Sequence, residues 1–302
     1  MNTKNKVDQV INRINSVYAS WDRNTTIETM RKDWDNLYKS EQIAARIQDV
    51  ELAGVPCRTL TPSVIRSEAV ILYIHGGGFR LGSVDSHLKL MSDIANEVSC
   101  QLVGINYPLM PEAIYPSQLD HCFNVYCELV KQHSAQNIVV MGDSAGGGLA
   151  ASLLQKVKQT DSGIALPGAC VLLSAWLDMT LSGESYVTRE QSDPVHKTKM
   201  LKVLAKEYAG DTTDLADPLL SPTFGDLHDL PPTLLQVGDC EIGLDDSVDY
   251  ASKANAAGSL AELSIWPDMI HVFQMFSDEL PLAKKAIAEI GLFVNRHINA
   301  ST

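Results

Sequence analysis

At 302 residues, with 45% hydrophobic and 20% charged side chains, the chain has the composition of an ordinary soluble protein, enough for one large α/β domain or two small ones. The balance of 24 Lys+Arg against 37 Asp+Glu gives a net charge of -13, which argues against nucleic acid or an anionic membrane as partner and leaves small neutral or cationic ligands open. The start, MNTKNKVDQV, lacks the apolar core of a secretory signal and no run of about 18 uncharged apolar residues is present, so no membrane anchor and a cytoplasmic location are expected.

The first stretch, to about Ser40, is polar and partly amphipathic; Trp21, Met30, Trp34, Leu37 and Tyr38 are spaced to bury one face of a helix. An apolar run at 69–74 reads as a buried strand and delivers the chain into HGGGF, residues 75–79. Three consecutive glycines lose much conformational entropy on folding, and backbone N–H groups presented to a ligand are a reason to keep them. His75, at the strand end, is expected to brace this loop and not to act as a base. A helical pattern at 86–98, a strand at 101–106 and a helical pattern at 116–131 follow.

Residues 137–157, NIVVMGDSAGGGLAASLLQKV, carry the sharpest local signal. A β-branched strand gives way to a helix within five residues, and the corner is written G-D-S-A-G. Small residues let neighbouring backbone approach, and Ser144 is pushed out of the turn beside a helix N-terminus that favours developing negative charge. G-x-S-x-G alone recurs by chance; the strand before it and the helix after it give it weight as a nucleophile.

Another strand at 170–174 is followed by a polar, irregular run at 182–199, the nearest thing to a boundary in the chain. A strand at 233–237 then opens an acidic loop that offers Asp239, Glu241, Asp245 and Asp246. The spacing of a calcium loop is missing there, and Asp245 and Asp246 fall at the start of the next helical pattern, 246–257, where the helix dipole favours them anyway. Distance from the strand therefore favours Asp239 or Glu241 as a carboxylate that orients an imidazole. The last strand, 261–266, leads into WPDMIHVF, and His271 alone among eight histidines lies in a post-strand loop downstream of the serine. A helical pattern at 281–298 closes the chain.

This alternation of strands and helices predicts an α/β fold, a mostly parallel sheet covered on both faces, with sites at the carboxyl ends of the strands. The six cysteines are scattered without a C-x-x-C pair and are expected as reduced core thiols; Cys122 and Cys127, five apart on a predicted helix, cannot build a zinc site by themselves. No metal and no organic cofactor is expected.

From about Val50 onward, the series HGGGF, NYPLMPEAIYP, GDSAGGG, LSAWLDMTLSG, DPLLSPTFGDLHDLPPTLLQVG and WPDMIHVF resembles the hormone-sensitive-lipase-like carboxylesterases of the α/β-hydrolase superfamily. The resemblance implies an α/β-hydrolase fold of about eight strands with a helical cap built from about 1–49 and 183–210 on a single domain. It makes Ser144 the nucleophile and His271 its base, and it places the oxyanion hole at Gly77, Gly78 and Ala145. The family's acid is usually an aspartate about thirty residues before the histidine; here EIGLDDS puts Glu241 in its place, with Asp239 the alternative. Glutamate has nearly the intrinsic pKa of aspartate, about 4.3 against 3.9, so only its longer reach must be accommodated. Phe79 and Trp176 are expected near the substrate pocket, Trp176 equally as packing. The activity implied is hydrolysis of short- to medium-chain acyl esters through an acyl-enzyme. An amidase or acyltransferase with the same triad, and a non-catalytic small-molecule receptor that keeps the fold, are the alternatives. A homodimer through the last strands and final helix is the assembly implied.

Overall fold

Helices α1 (Thr3–Ala19) and α2 (Ile27–Tyr38) precede the sheet in a computed structural model that describes residues 3–160, 163–210 and 214–298. Residues 1 and 2 of the expected cap thus lie outside the described residues. Thr26 caps α2 by accepting the N–H of Thr29, which satisfies one of the donors a helix start leaves free. The strands are β1 (Ala45–Leu52), β2 (Val55–Pro62), β3 (Val70–Ile74), β4 (Gln101–Ile105), β5 (Ile138–Asp143), β6 (Ala169–Leu173), β7 (Thr233–Gly238) and β8 (Ala261–Trp266). Their order in the sheet is β1-β2-β4-β3-β5-β6-β7-β8, antiparallel from β1 to β4 and parallel from β4 onward. This is the mostly parallel α/β sheet that the alternation of strands and helices predicts.

The period-two alternation of a strand splits the core in two. Val70, Leu72 and Ile74 of β3 join the cluster on one face, under α4 (Ser117–Gln132), α5 (Ser144–Gln159) and α8 (Leu244–Ala256). Ile71 and Tyr73 join the other, under α3 (Val84–Val98) and α9 (Pro281–Ile298). Each fully buried side chain of this kind contributes about 1.5–3 kcal/mol of transfer free energy. The helices α6 (Ser185–Thr188) and α7 (Thr198–Ala209) lie between β6 and β7. Side chains of α1, α2 and α7 border the cavity over the carboxyl ends of the strands, and Tyr186 of α6 borders a small recess next to it.

Two strands escape a reading by apolar runs. β1 is exposed along most of its length and β2 carries Pro56 and Pro62, so neither shows the continuous apolar pattern of the central strands. They form a hairpin closed by Ala53 and Gly54, both at positive φ (53° and 76°), as a two-residue turn of matching twist requires. Because β1 begins at Ala45, the N-terminal helical part ends at Tyr38, short of residue 49. No helix among the described residues is long and apolar enough to cross a membrane.

Candidate active site

Ser144 sits where β5 becomes α5, at φ 52°. A left-handed backbone is unfavourable for a residue with a Cβ and persists only when its surroundings fix it. They do: a Cβ on Gly142 would stand 2.4 Å from the Gly146 carbonyl oxygen, and one on Gly146 would stand 2.2 Å from that of Ile74. The glycines let strand and helix close on each other, and the elbow follows. Ala145 lies in the first turn of α5, where backbone N–H groups have no partner within the helix.

The glycine loop after β3 runs beside this elbow. Gly77 (φ 112°) and Gly78 (φ 61°) border the same cavity as Ser144. A Cβ on Gly77 would stand 2.1 Å from the Leu81 carbonyl oxygen, so the turn that aims these amides excludes any side chain. His75 is buried, stacks on Tyr107 with centroids 4.3 Å apart and donates from Nδ1 to the Gly76 carbonyl at 2.8 Å. Burial, with His87 beside it, pushes its imidazole down to about 3, so it braces the loop as a neutral ring. Asp143, also buried, accepts from Tyr73 Oη at 2.8 Å and from the Gly76 N–H at 3.1 Å, tying the glycine loop to the elbow.

His271 lies between Ile270, buried, and Val272, which is left-handed at φ 45°. Its Nδ1 donates to Glu241 Oε2 at 2.8 Å. Glu241 is 2% exposed, and its other oxygen accepts from Ser174 Oγ at 2.8 Å and from the Gly238 N–H at 2.6 Å. Ser174 in turn accepts the Val272 N–H at 3.0 Å, so one hydroxyl joins the acid's oxygen to the histidine's loop. Burial pulls the His271 imidazole down, but the hydrogen bond and charge of Glu241 outweigh it and hold the group above its ordinary value. The Nε2 side of the ring remains for chemistry, and His271 and Ser144 border the same cavity.

Asp239 does something else: its Oδ1 accepts the Asp268 N–H at 2.8 Å and so closes the turn after β8. Asp245 takes the Ser185 N–H at 2.8 Å, and Asp246, buried, takes the N–H groups of Leu177 and Asp178 and the hydroxyl of Tyr186. Burial, with Asp178 near it, pushes the Asp246 carboxyl up to about 8.

The cavity over Ser144 holds about 340 Å³ and is walled by Tyr18, Trp21, Trp34 and Tyr38 of the N-terminal segment and by Met200 and Leu204 of α7. Trp176 borders a recess of only about 30 Å³ on another side of Ser144 and His271. Phe79 corrects the expectation placed on it. At φ 61° it does not line the cavity that holds Ser144 but lies in the core, 1% exposed and flat on Tyr208 with centroids 3.7 Å apart. The sequence reading also missed Ser174 and His196. Ser174 follows a strand, which is a usable signal; His196 sits in an irregular stretch without one. Four of the cysteines are buried and two half-buried, all free thiols, and no group of His, Cys, Asp or Glu that could hold a metal occurs among the described residues.

A family model described as the alpha/beta hydrolase fold matches residues 71–275. An esterase from Acinetobacter venetianus is 37% identical over 249 residues, 82% of this chain and 81% of that protein. An acetyl-hydrolase from Streptomyces hygroscopicus is 36% identical over 225 residues, 74% of each chain. The crystal structure of an esterase from the bacterial hormone-sensitive lipase family superimposes with a TM-score of 0.92 at 34% identity, covering 99% of this chain and 100% of that one.

Proposed function

Because the chain belongs to the α/β-hydrolase-fold family, among its hormone-sensitive-lipase-like carboxylic ester hydrolases, we propose that it hydrolyses short- to medium-chain acyl esters through a serine-bound acyl-enzyme. The observation that carries this reading is the 2.8 Å bond from His271 Nδ1 to the buried Glu241, on a ring that shares its cavity with the left-handed Ser144.

Ser144 Oγ attacks the ester carbonyl while His271 Nε2 takes its proton. The negative oxygen of the tetrahedral intermediate is received by the amides of Gly77, Gly78 and Ala145; one such donor is worth about 100- to 1,000-fold in rate. His271, now an imidazolium held against Glu241, returns the proton to the leaving alcohol, and the C–O bond to that alcohol breaks. Water, deprotonated by the same nitrogen, then attacks the acyl carbon; the bond from that carbon to Ser144 Oγ breaks, Oγ takes the proton back from His271 and the carboxylic acid leaves. Glu241 fixes the ring's tautomer and stabilises its charged form without itself being protonated. The helical segment 3–38 and the segment 183–210 act as the cap, and Tyr18, Trp21, Met30, Trp34, Tyr38, Met200 and Leu204 receive the apolar part of the ester.

The test is hydrolysis of p-nitrophenyl acetate, butyrate, octanoate and palmitate, with Ser144→Ala beside the wild type. Activity that falls from the short esters to palmitate and disappears in the variant is expected. Undiminished turnover by Ser144→Ala would sink the mechanism.

A further inference from the structure

His196 packs against His271. It lies on the irregular segment between α6 and α7, is half-buried, and meets the His271 ring at 85° with centroids 4.3 Å apart. It also borders both the cavity over Ser144 and the small recess beside it. A ring held edge-to-face is a specific contact, in which the edge of one ring meets the face of the other.

The loop that carries His196 is fastened to the loop that carries Glu241. Asp193, 1% exposed, accepts the N–H groups of Val195 and His196 through Oδ1 at 2.8 and 2.9 Å, and the N–H of Ile242 through Oδ2 at 3.0 Å. Ile242 is the residue after Glu241. Ser192 Oγ donates to the Cys240 carbonyl at 3.2 Å, one residue before it. Residues 192–196 therefore grip the chain on both sides of Glu241 and press a ring on His271.

From this geometry, and resting on the triad read above, we infer that His196 is a positioning residue, a ring supplied by the segment between α6 and α7 that holds His271 in register with Glu241 and Ser144. Glutamate has one more rotatable bond than aspartate, so a carboxylate of this length leaves its histidine freer unless both are held. Ser174 and the Gly238 N–H fix the far oxygen of Glu241; the 192–196 loop fixes its backbone and the imidazole. Burial, then the nearness of His271, pushes the His196 imidazole down to about 3. It stays neutral while its neighbour carries the serine's proton, and so adds no like charge to the imidazolium.

Kinetics of His196→Ala and His196→Phe on p-nitrophenyl butyrate, with thermal unfolding of each variant, test this. A misplaced catalytic group loses rate rather than binding, so His196→Ala should lose about tenfold or more in kcat with KM within about threefold. His196→Phe keeps the ring without its nitrogens and should recover most of the loss. Wild-type kcat in His196→Ala overturns the inference. So does a well-folded His196→Phe as slow as the alanine variant, which would mean that a ring nitrogen, not the ring, is used. If His196→Ala does not fold, His196→Leu fills the space without a ring and takes its place with the same expectation. Ser144→Ala run alongside separates the two levels: activity surviving there removes the triad itself, whereas an inactive Ser144→Ala with a fully active His196→Ala removes only the role of His196.

Discussion

Two histidines that border the cavity around Ser144 are each paired with a carboxylate, His271 with Glu241 and His87 with Asp143. Their parts are the same and their chemistry is not. His87, on α3, has its Nε2 3.3 Å from the Asp143 carboxylate and its Nδ1 3.0 Å from Ser86 Oγ and 3.1 Å from the Ser83 carbonyl, so both nitrogens already have partners. Burial pulls His87 down, yet the charge of Asp143 and the hydrogen bonds prevail and hold it above its ordinary value. Asp143, which burial would raise, is held below its own by His87 and Tyr73. The pair is a closed buttress beneath the glycine loop. In the other pair only Nδ1 of the ring is committed to the carboxylate. A histidine beside an acid is therefore not in itself a catalytic dyad; the second nitrogen decides.

The comparison breaks most visibly at the open pair. Ser144→Ala and His271→Ala should each lower kcat by about 10,000- to 1,000,000-fold, with circular dichroism unchanged. Glu241→Gln should come next, with kcat down about 1,000- to 10,000-fold, because an amide can hold the ring in the wrong tautomer. It should also move the acid limb of kcat/KM to lower pH. The limb marks protonation of His271, which Glu241 holds above the ordinary histidine value of about 6.5, so loss of that charge lets the imidazole deprotonate earlier.

The closed pair should answer in stability instead. His87→Gln is expected to cost about 3–5 kcal/mol by leaving Asp143 buried without its cation, with less than about tenfold change in the turnover of folded enzyme. The sign follows from the two shifts. Asp143 is depressed, so its contribution is present above about pH 3.9 and is lost on acidification; His87 is raised, so its contribution is full below about pH 6.5 and is lost as pH rises past its folded value. Urea unfolding should thus separate variant from wild type more at pH 5.5 than at pH 9. The smallest effect belongs to Asp239→Asn, within about threefold in kcat/KM on p-nitrophenyl butyrate, since an amide oxygen can still accept the Asp268 N–H. A larger loss in Asp239→Asn than in Glu241→Gln would transfer the acid's role.

What the chain discloses on its own is what a parallel sheet does to its strand ends. Ser144, Gly77, Gly78, Glu241 and His271 all follow apolar runs, and a reader who places those runs in one sheet brings them to one edge. The hairpin of β1 and β2 is less legible, because a strand that keeps water on much of its surface needs no apolar pattern. Phe79 misleads for a packing reason: it lies flat on Tyr208 in the core, a contact that an aromatic beside a glycine loop does not announce. His87 and His196 are more hidden still. One is a helical histidine and the other a histidine in a polar stretch, and only the docking of α3 and of the 192–196 loop gives either of them a neighbour.

Helix α1 supplies Ile14 and Tyr18 to the wall of the cavity over Ser144 while its other buried residues, Val7 and Val10, pack with Phe273 and Leu280 behind the histidine loop. One helix is therefore both a wall of the cavity and a buttress of the loop that carries His271. A substitution at Ile14 or Tyr18 reshapes the space over Ser144, whereas one at Val7 or Val10 loosens the packing behind His271.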